Sequence, residues 1–359
     1  MSETSGCNAV PVSNSTSSAY NEKLRLVEEL DLTVQVAIVG CGLIGQKRAR
    51  ALAGAKLTVC CDLQLPLAER LATAFPGARA TSSWKDAVTA TDVDIVIVAT
   101  VHKDLATVAT AAAAAGKHVL VEKPGARRAA DLDAVLEASA RTGARVRVGF
   151  NHRYHPALQK ARGIVDSGVL GPLLFVRGRY GHGGRPGYDK EWRAVEEISG
   201  GGEAIDQGMH LIDLARWFLG DFDGVQGHVA TYFWDMPVED NAFFLLTTPS
   251  KQTAQLHATW TEWKNLFSLE IYGRDGKLDI NGLGGSYGVE RLAYYKMLPE
   301  MGPPETTIWE YPALTDRSWE LEFTAFLGDI AEGREPSPGV RDAQAALRIV
   351  EAVYGRCGR

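Results

Sequence analysis

Six residues, Gly40-Cys41-Gly42-Leu43-Ile44-Gly45, restrict this chain more than any other feature. They follow a β-rich apolar run over 34–39 and open a stretch of helical character through Ala55. In a strand, G-x-G-x-x-G, helix unit, the glycines make a tight turn, let a pyrophosphate approach the backbone and let the helix pack on the strand. The helix start adds N–H groups and partial positive charge. The next strand, 57–61, ends at Asp62, 22 positions after Gly40. A carboxylate about 20 positions on accepts hydrogen bonds from an adenosine ribose and repels a 2′-phosphate. No Arg or Lys occurs in Leu63-Gln64-Leu65, so the sequence favours NAD over NADP.

The alternation continues. Pro66 starts a helix that stops at Pro76-Gly77, and Ser83 is placed to cap a helix over 84–90. Strands are expected at 94–99, 118–121 and 145–149, with an alanine-rich helix ending at Gly116 and another over 128–141. This rhythm predicts a parallel sheet covered on both faces. Thr100 and His102 fall on the loop after the 94–99 strand, at the edge where such folds bind ligands.

At that same edge, the strand 118–121 breaks off into Glu122-Lys123-Pro124. Pro124 cannot continue a central strand, because it has no N–H for the ladder, and it restricts Lys123 to extended backbone. Lys123 is therefore a positioned cation.

After Phe150 the pattern changes. Asn151-His152-Arg153-Tyr154-His155-Pro156 reads as a polar hinge, followed by a helix over 156–166 and a strand over 173–180. His152 and His155 have the spacing of a metal pair, but no third ligand of matching pattern accompanies them. Residues 200–213, G-G-G-E-A-I-D-Q-G-M-H-L-I-D, combine glycines for close backbone approach with a helix start. Asp206 and His210 are i and i+4 and share a face there; Asp213 is placed to orient His210. Strands over 225–234, 241–248, 253–263, 267–272 and 277–281 predict a large, mostly antiparallel sheet, with Asp275-Gly276 as a hairpin turn. Seven of eight tryptophans lie at or beyond Trp192, which predicts an aromatic sheet surface for a subunit interface or sugar stacking. Helices over 318–332 and 340–354 end the chain.

Between these elements, residues 177–193 carry Arg177, Arg179, Arg185, Lys190 and Arg193 among Tyr180, His182, Tyr188 and Trp192. Glycines make the stretch a candidate binding loop whose arginines, with an aromatic face, suit a phosphorylated or nucleotide-linked sugar.

The 359 residues suffice for two domains, divided here at 34–152 and 153–359 after a tail at 1–33 with a short helix over 21–32. A net charge of −6 gives no footprint for nucleic acid or an anionic membrane, and no apolar run approaches the ~18 residues of a span. The five cysteines form no disulfide framework and no zinc pattern, and no secretory signal precedes them. A reducing cytoplasm is the expected location.

Together, the glycine turn, Glu122-Lys123-Pro124 and the 200–213 stretch resemble the glucose–fructose oxidoreductase / inositol dehydrogenase (Gfo/Idh/MocA) family, over roughly Val34 to the C-terminus. The resemblance implies a Rossmann domain plus an α/β domain with an open sheet, assembling as a homodimer or homotetramer. It implies NAD(P)-dependent oxidation or reduction of a carbinol in a sugar, cyclitol or sugar nucleotide. Lys123, Asp206 and His210 match the family's catalytic residues. Gly40, Gly42, Leu43, Ile44, Gly45, Asp62, Thr100, His102, Glu122 and Lys123 are expected at the cofactor. Arg153, Tyr180, Arg185, Trp192, Arg193, Asp206 and His210 are expected at the substrate, and no metal is expected. Some relatives are glycosidases that oxidise transiently with a retained NAD, and others are non-catalytic cofactor sensors; Lys123, Asp206 and His210 argue against the latter. The chemistry leaves open whether His210 or Lys123 carries the proton.

Overall fold

The computed structural model describes residues 34–312 and 316–358. The expected tail and its helix at 21–32 lie outside the described residues. Six strands, β1 (Gln35–Val39), β2 (Lys56–Cys61), β3 (Arg79–Thr81), β4 (Ile95–Val98), β5 (His118–Glu122) and β6 (Val146–Gly149), build one sheet in the order β3-β2-β1-β4-β5-β6. Every neighbouring pair is parallel. Helices α1 (Leu43–Ala49), α2 (Leu65–Thr73), α3 (Trp84–Thr89), α4 (His102–Ala114) and α5 (Asp133–Thr142) connect them. The strands are apolar runs because both faces are covered; all four residues of β4 are buried. β3 has no such run, which is why the sequence does not announce it. α1 ends six residues before the expected Ala55, as the chain turns through positive φ at Ala53 and Gly54. Strand order reverses between β1 and β4, so the loops leaving their C-terminal ends diverge and open a crevice.

After β6 come a 3₁₀ turn (Asn151–Tyr154) and α6 (Pro156–Asp166). β7 (Leu173–Gly181) starts a second sheet. α7 (Glu196–Ser199) and α8 (Gly208–Leu219) follow, then β8 (Gly224–Ala230), β9 (Asn241–Thr247), β10 (Thr253–Thr259), β11 (Leu266–Gly273), β12 (Gly276–Asn281), β13 (Glu290–Lys296) and β14 (Glu305–Tyr311). The order is β14-β13-β12-β11-β7-β10-β9-β8. β7 and β10 are parallel and the other neighbouring pairs antiparallel, so the predicted mostly antiparallel sheet is found, two strands wider than expected. α8 packs on its inner face, against β7 and β10. The outer face carries Phe175 stacked on Tyr272 and Phe243 stacked on His257, each at 4.2 Å, with Leu245 exposed. This aromatic face is built without tryptophan: Trp309 alone among the tryptophans lies in a strand, and Trp260 is fully buried.

The C-terminal helices, α9 (Ser318–Ala331) and α10 (Val340–Arg356), cross back over both sheets. α9 inserts Phe323, Phe326 and Leu327 into the core formed by Val36, Ile38 and Leu120 of the first sheet. α10 packs on α8 and β8. A buried ion triad reinforces this junction. Arg48 of α1 donates to Glu122 at the end of β5 and to Glu322 of α9, both at 2.6 Å. All three side chains lie out of solvent.

Candidate active site

The crevice at the end of the first sheet widens into a cleft of about 1390 Å³ that runs onto the second sheet. The glycine turn forms one wall. A Cβ on Gly45 would lie 1.9 Å from the Gly40 carbonyl oxygen, so α1 reaches the strand only because that Cβ is missing. A Cβ on Gly42 would meet nothing within 4 Å, which leaves room for a ligand against the backbone. Asp62 stands beside this space. Its Oδ2 accepts the Cys41 N–H at 2.8 Å and its Oδ1 the Gln64 N–H at 2.9 Å, which fixes the carboxylate facing the turn.

Of the residues expected at the cofactor, Gly40, Gly42, Leu43, Ile44, Asp62, Thr100, His102, Glu122 and Lys123 line the cleft. Gly45 does not, because it is pressed against Gly40. The Glu122 carboxylate is engaged by Arg48. His102 is not a solvated loop residue: it begins α4 and is buried, with its ring edge on Trp192 at 4.8 Å.

Lys123 directly follows β5 with its ammonium in the cleft, and the Lys123–Pro124 peptide is cis. It donates to the Asp206 carbonyl oxygen at 3.0 Å and to Asp206 Oδ1. The other carboxylate oxygen, Oδ2, accepts from Arg193 Nε at 3.0 Å. Burial alone would push the Asp206 carboxyl up, but Lys123 and Arg193 outweigh it and hold the group well below the ordinary carboxylate range.

Asp206 sits in the turn before α8, not inside the helix as its spacing to His210 suggests. The turn is set by the glycines before it. A Cβ on Gly202 would lie 1.9 Å from the Glu239 carbonyl oxygen, so the close approach that Gly200–Gly202 permits is to the protein's own backbone. Glu203 next to it is fully buried, and burial, then the negative Asp206, push its carboxyl well above its ordinary range.

His210 is buried against Phe150 and stacks face to face on His152, with ring centroids 3.8 Å apart. Burial, then the Lys123 ammonium, hold His210 well below the ordinary imidazole range. His210 Nδ1 has no hydrogen-bond partner among the described residues. Asp213 does not orient it. That carboxylate takes a bidentate pair from Arg153, at 2.8 and 2.6 Å. Arg153 is thereby removed from the substrate set: the 3₁₀ turn aims it toward α8 and α10, away from the cleft. His155 likewise serves Glu290, at 3.0 Å.

Tyr180, Arg185, Trp192, Arg193, Asp206 and His210, all expected at the substrate, line the cleft. The 181–199 stretch is ordered into two 3₁₀ turns and α7. Arg185 pairs with Glu191 at 2.5 Å, its side chain 64% exposed. Arg177 and Arg179 instead belong to β7 and face the outer side of the sheet with Glu270. Sequence reasoning missed Tyr287 and Gln207, which also line the cleft; the glycine density around 282–288 was the available signal for Tyr287.

The first half matches an oxidoreductase family model with an NAD-binding Rossmann fold over residues 34–150, and residues 158–279 match the GFO/IDH/MocA C-terminal domain. The chain belongs to the Gfo/Idh/MocA oxidoreductase family. Inositol 2-dehydrogenase of Salmonella typhimurium (strain LT2) is 32% identical over 85% of this chain and 88% of its own. Levoglucosan dehydrogenase of Pseudarthrobacter phenanthrenivorans is 25% identical over 89% of this chain and 95% of its own. A solved levoglucosan dehydrogenase, in complex with NADH and levoglucosan, superposes with a TM-score of 0.81 at 25% identity, covering 90% of this chain and 97% of that one.

As a member of the Gfo/Idh/MocA family, this chain is an oxidoreductase whose Rossmann half takes NAD. The open backbone at Gly42 and the braced Asp62 carboxylate fit that cofactor. Gly40, Gly42, Leu43 and Ile44 would hold its pyrophosphate and Asp62 its ribose. Among the described residues, no helix is long and apolar enough to cross a membrane.

Proposed function

We propose that this protein oxidises or reduces one secondary carbinol of a sugar or cyclitol with NAD(H), at Lys123, Asp206 and His210. The observation that carries this reading is the Lys123–Asp206 ion pair, which closes across the cleft between the end of β5 and the turn before α8. Bound NAD supplies the hydride-accepting ring. The residues handle the oxygen and its proton. Asp206 pairs with the Lys123 ammonium, and an ammonium can only donate. Lys123 therefore holds and polarises the substrate oxygen. His210, kept neutral by burial, is the group able to accept the hydroxyl proton. Arg193 fixes Asp206 from the other side. The test is a panel of sugars, cyclitols and sugar nucleotides followed at the nicotinamide absorbance. Turnover of a polyol that is lost in Lys123→Ala supports the proposal, and turnover of none defeats it. Tightly retained NAD with hydrolysis of a glycoside and no net NADH would instead favour the transient-oxidation glycosidase.

A phosphorylated or nucleotide-linked substrate is the second reading. Arg193 is already matched by Asp206, so the exposed guanidinium of Arg185 on the cleft wall is what favours it. The outer face of the second sheet, with Leu245 and the Phe243–His257 stack, suits a second copy of this chain. Buried free thiols at Cys41, Cys60 and Cys61 fit a cytoplasmic setting.

A further inference from the structure

Two histidines on the cleft wall have their protons placed by the backbone, in opposite senses. His102 Nδ1 lies 2.8 Å from the Ser199 carbonyl oxygen. A carbonyl only accepts, so Nδ1 carries the proton and Nε2 of the neutral ring is bare. His182 Nδ1 receives the Gly184 N–H at 2.9 Å. A backbone N–H only donates, so this Nδ1 is bare and the ring proton sits on Nε2. A doubly protonated His182 would lose that bond. Burial also opposes a second proton on either ring: His102 is held down at about 4, and His182 below its ordinary value.

Both residues line the cleft that holds Lys123 and Asp206. The charges of Asp206, Lys123 and Arg193 reach both rings. Neither Nε2 has a hydrogen-bond partner among the described residues. The charged groups that reach both rings supply mainly donors. Lys123 and Arg193 can only donate, and both oxygens of Asp206 are engaged by them. A polyol brings hydroxyls that must donate as well as accept, and a buried hydroxyl without an acceptor is costly.

We propose that His102 and His182 form an acceptor–donor pair that reads the oxygens beside the reacting carbinol. His102 Nε2 accepts a hydrogen bond from one substrate hydroxyl, and His182 Nε2–H donates to a second oxygen. A phosphate dianion or a carboxylate has no proton for His102, so the catalytic end of the cleft selects a neutral polyhydroxylated ring, whatever group lies near Arg185. This selection rests on the sugar or cyclitol reading above.

The experiment uses the NADH-bound enzyme labelled with ¹⁵N in its histidine rings. Long-range ¹H–¹⁵N spectra above pH 7 distinguish the two tautomers, and spectra of His102→Gln and His182→Gln assign the signals. His102 is expected as the Nδ1–H form and His182 as the Nε2–H form. Either ring in the other form overturns the pairing, whatever the activity. Levoglucosan or myo-inositol, whichever is turned over, should then shift both Nε2 signals. His102→Phe keeps an aromatic edge for Trp192 and removes the acceptor. It should raise KM for the polyol about tenfold, one hydrogen bond's worth. For an analogue lacking the contacted hydroxyl, parent and His102→Phe should agree. An unchanged KM, or an equal rise for the deoxy analogue, overturns the hydroxyl contact. If no polyol is turned over and neither Nε2 signal moves, the proposed function and the hydroxyl contact both fall.

Discussion

Lys123 and Arg193 grip opposite oxygens of one carboxylate, Asp206, from two sides of the cleft. The first arrives from the parallel sheet and the second from the segment that leads into α7. Closing that clamp fixes where the lysine ammonium points before any substrate arrives. Such preorganisation is what electrostatic catalysis requires of a donor.

Lys123→Ala should therefore bind NADH as the parent does and lose ~10²–10⁴ in kcat. Calorimetric titration with NADH and steady-state turnover of the polyol found by the panel check the two halves separately. Near-parental turnover would return Lys123 to the role of a strand-end turn.

Asp62 should set the cofactor choice. The parent is expected to favour NAD over NADP by at least about tenfold in kcat/KM, about 1.4 kcal/mol. Asp62→Ser should narrow that ratio, chiefly by losing affinity for NAD. The same substitution also frees the Cys41 N–H, which now donates to Asp62 Oδ2, so a modest drop in stability should accompany it.

Arg185→Ala separates the two substrate readings. With a phosphorylated or nucleotide-linked sugar, KM should rise while kcat and NAD affinity hold, because Arg185 pairs with Glu191 and does not touch Asp206. Arg193→Ala is expected to lower kcat too, since it opens the clamp on Asp206. A higher kcat/KM for a free neutral sugar would eliminate the anionic reading and leave the dehydrogenase intact.

Acid should weaken the fold before it reaches the carboxylates. His102 falls from 6.5 to about 4 on folding, through burial first. The unfolded chain therefore takes the proton first. The stability is full above about 6.5 and is lost progressively down to about 4, by about 3 kcal/mol for this group. His152 and His210 are shifted in the same direction, again chiefly by burial. Asp206 is also lowered on folding and contributes a loss of the same sign, but only below its ordinary value of 3.8. Urea unfolding at pH 7.5 and 5.5 should show a loss of a few kcal/mol at the lower pH. Equal stability at both would contradict the buried, neutral state of these rings.

Much of this was legible because one-dimensional spacing determined it. Gly42, Asp62 and Lys123 each lie just past the C-terminal end of a strand in a repeating strand–helix unit, so their shared edge follows from topology. Arg153 misled because a cation in a polar hinge next to the cleft has two possible directions, and the partner that chose between them, Asp213, lies 60 positions away. Asp213 had been given to His210 for the same reason: helical spacing says which residues are neighbours and not which competing charge claims them. His152 carried no role in the sequence once a metal pair with His155 was set aside, and its stacking on His210 needs two elements that only the fold brings together. β13 and β14 went unseen because residues 282–312 are rich in glycine, proline and mixed polar residues, and their pairing is held by the neighbouring strand rather than by a strong pattern of their own.

The triad of Arg48, Glu122 and Glu322 carries a consequence for how the chain is made. A ribosome delivers the whole parallel sheet long before it delivers α9. Until then Arg48 and Glu122 lack Glu322, and the surface that takes Phe323, Phe326 and Leu327 stays bare. The NAD-binding half therefore completes its core with residues from the far end of the chain. The strand that presents Lys123 acquires its final anchor only when nearly the whole polypeptide has emerged.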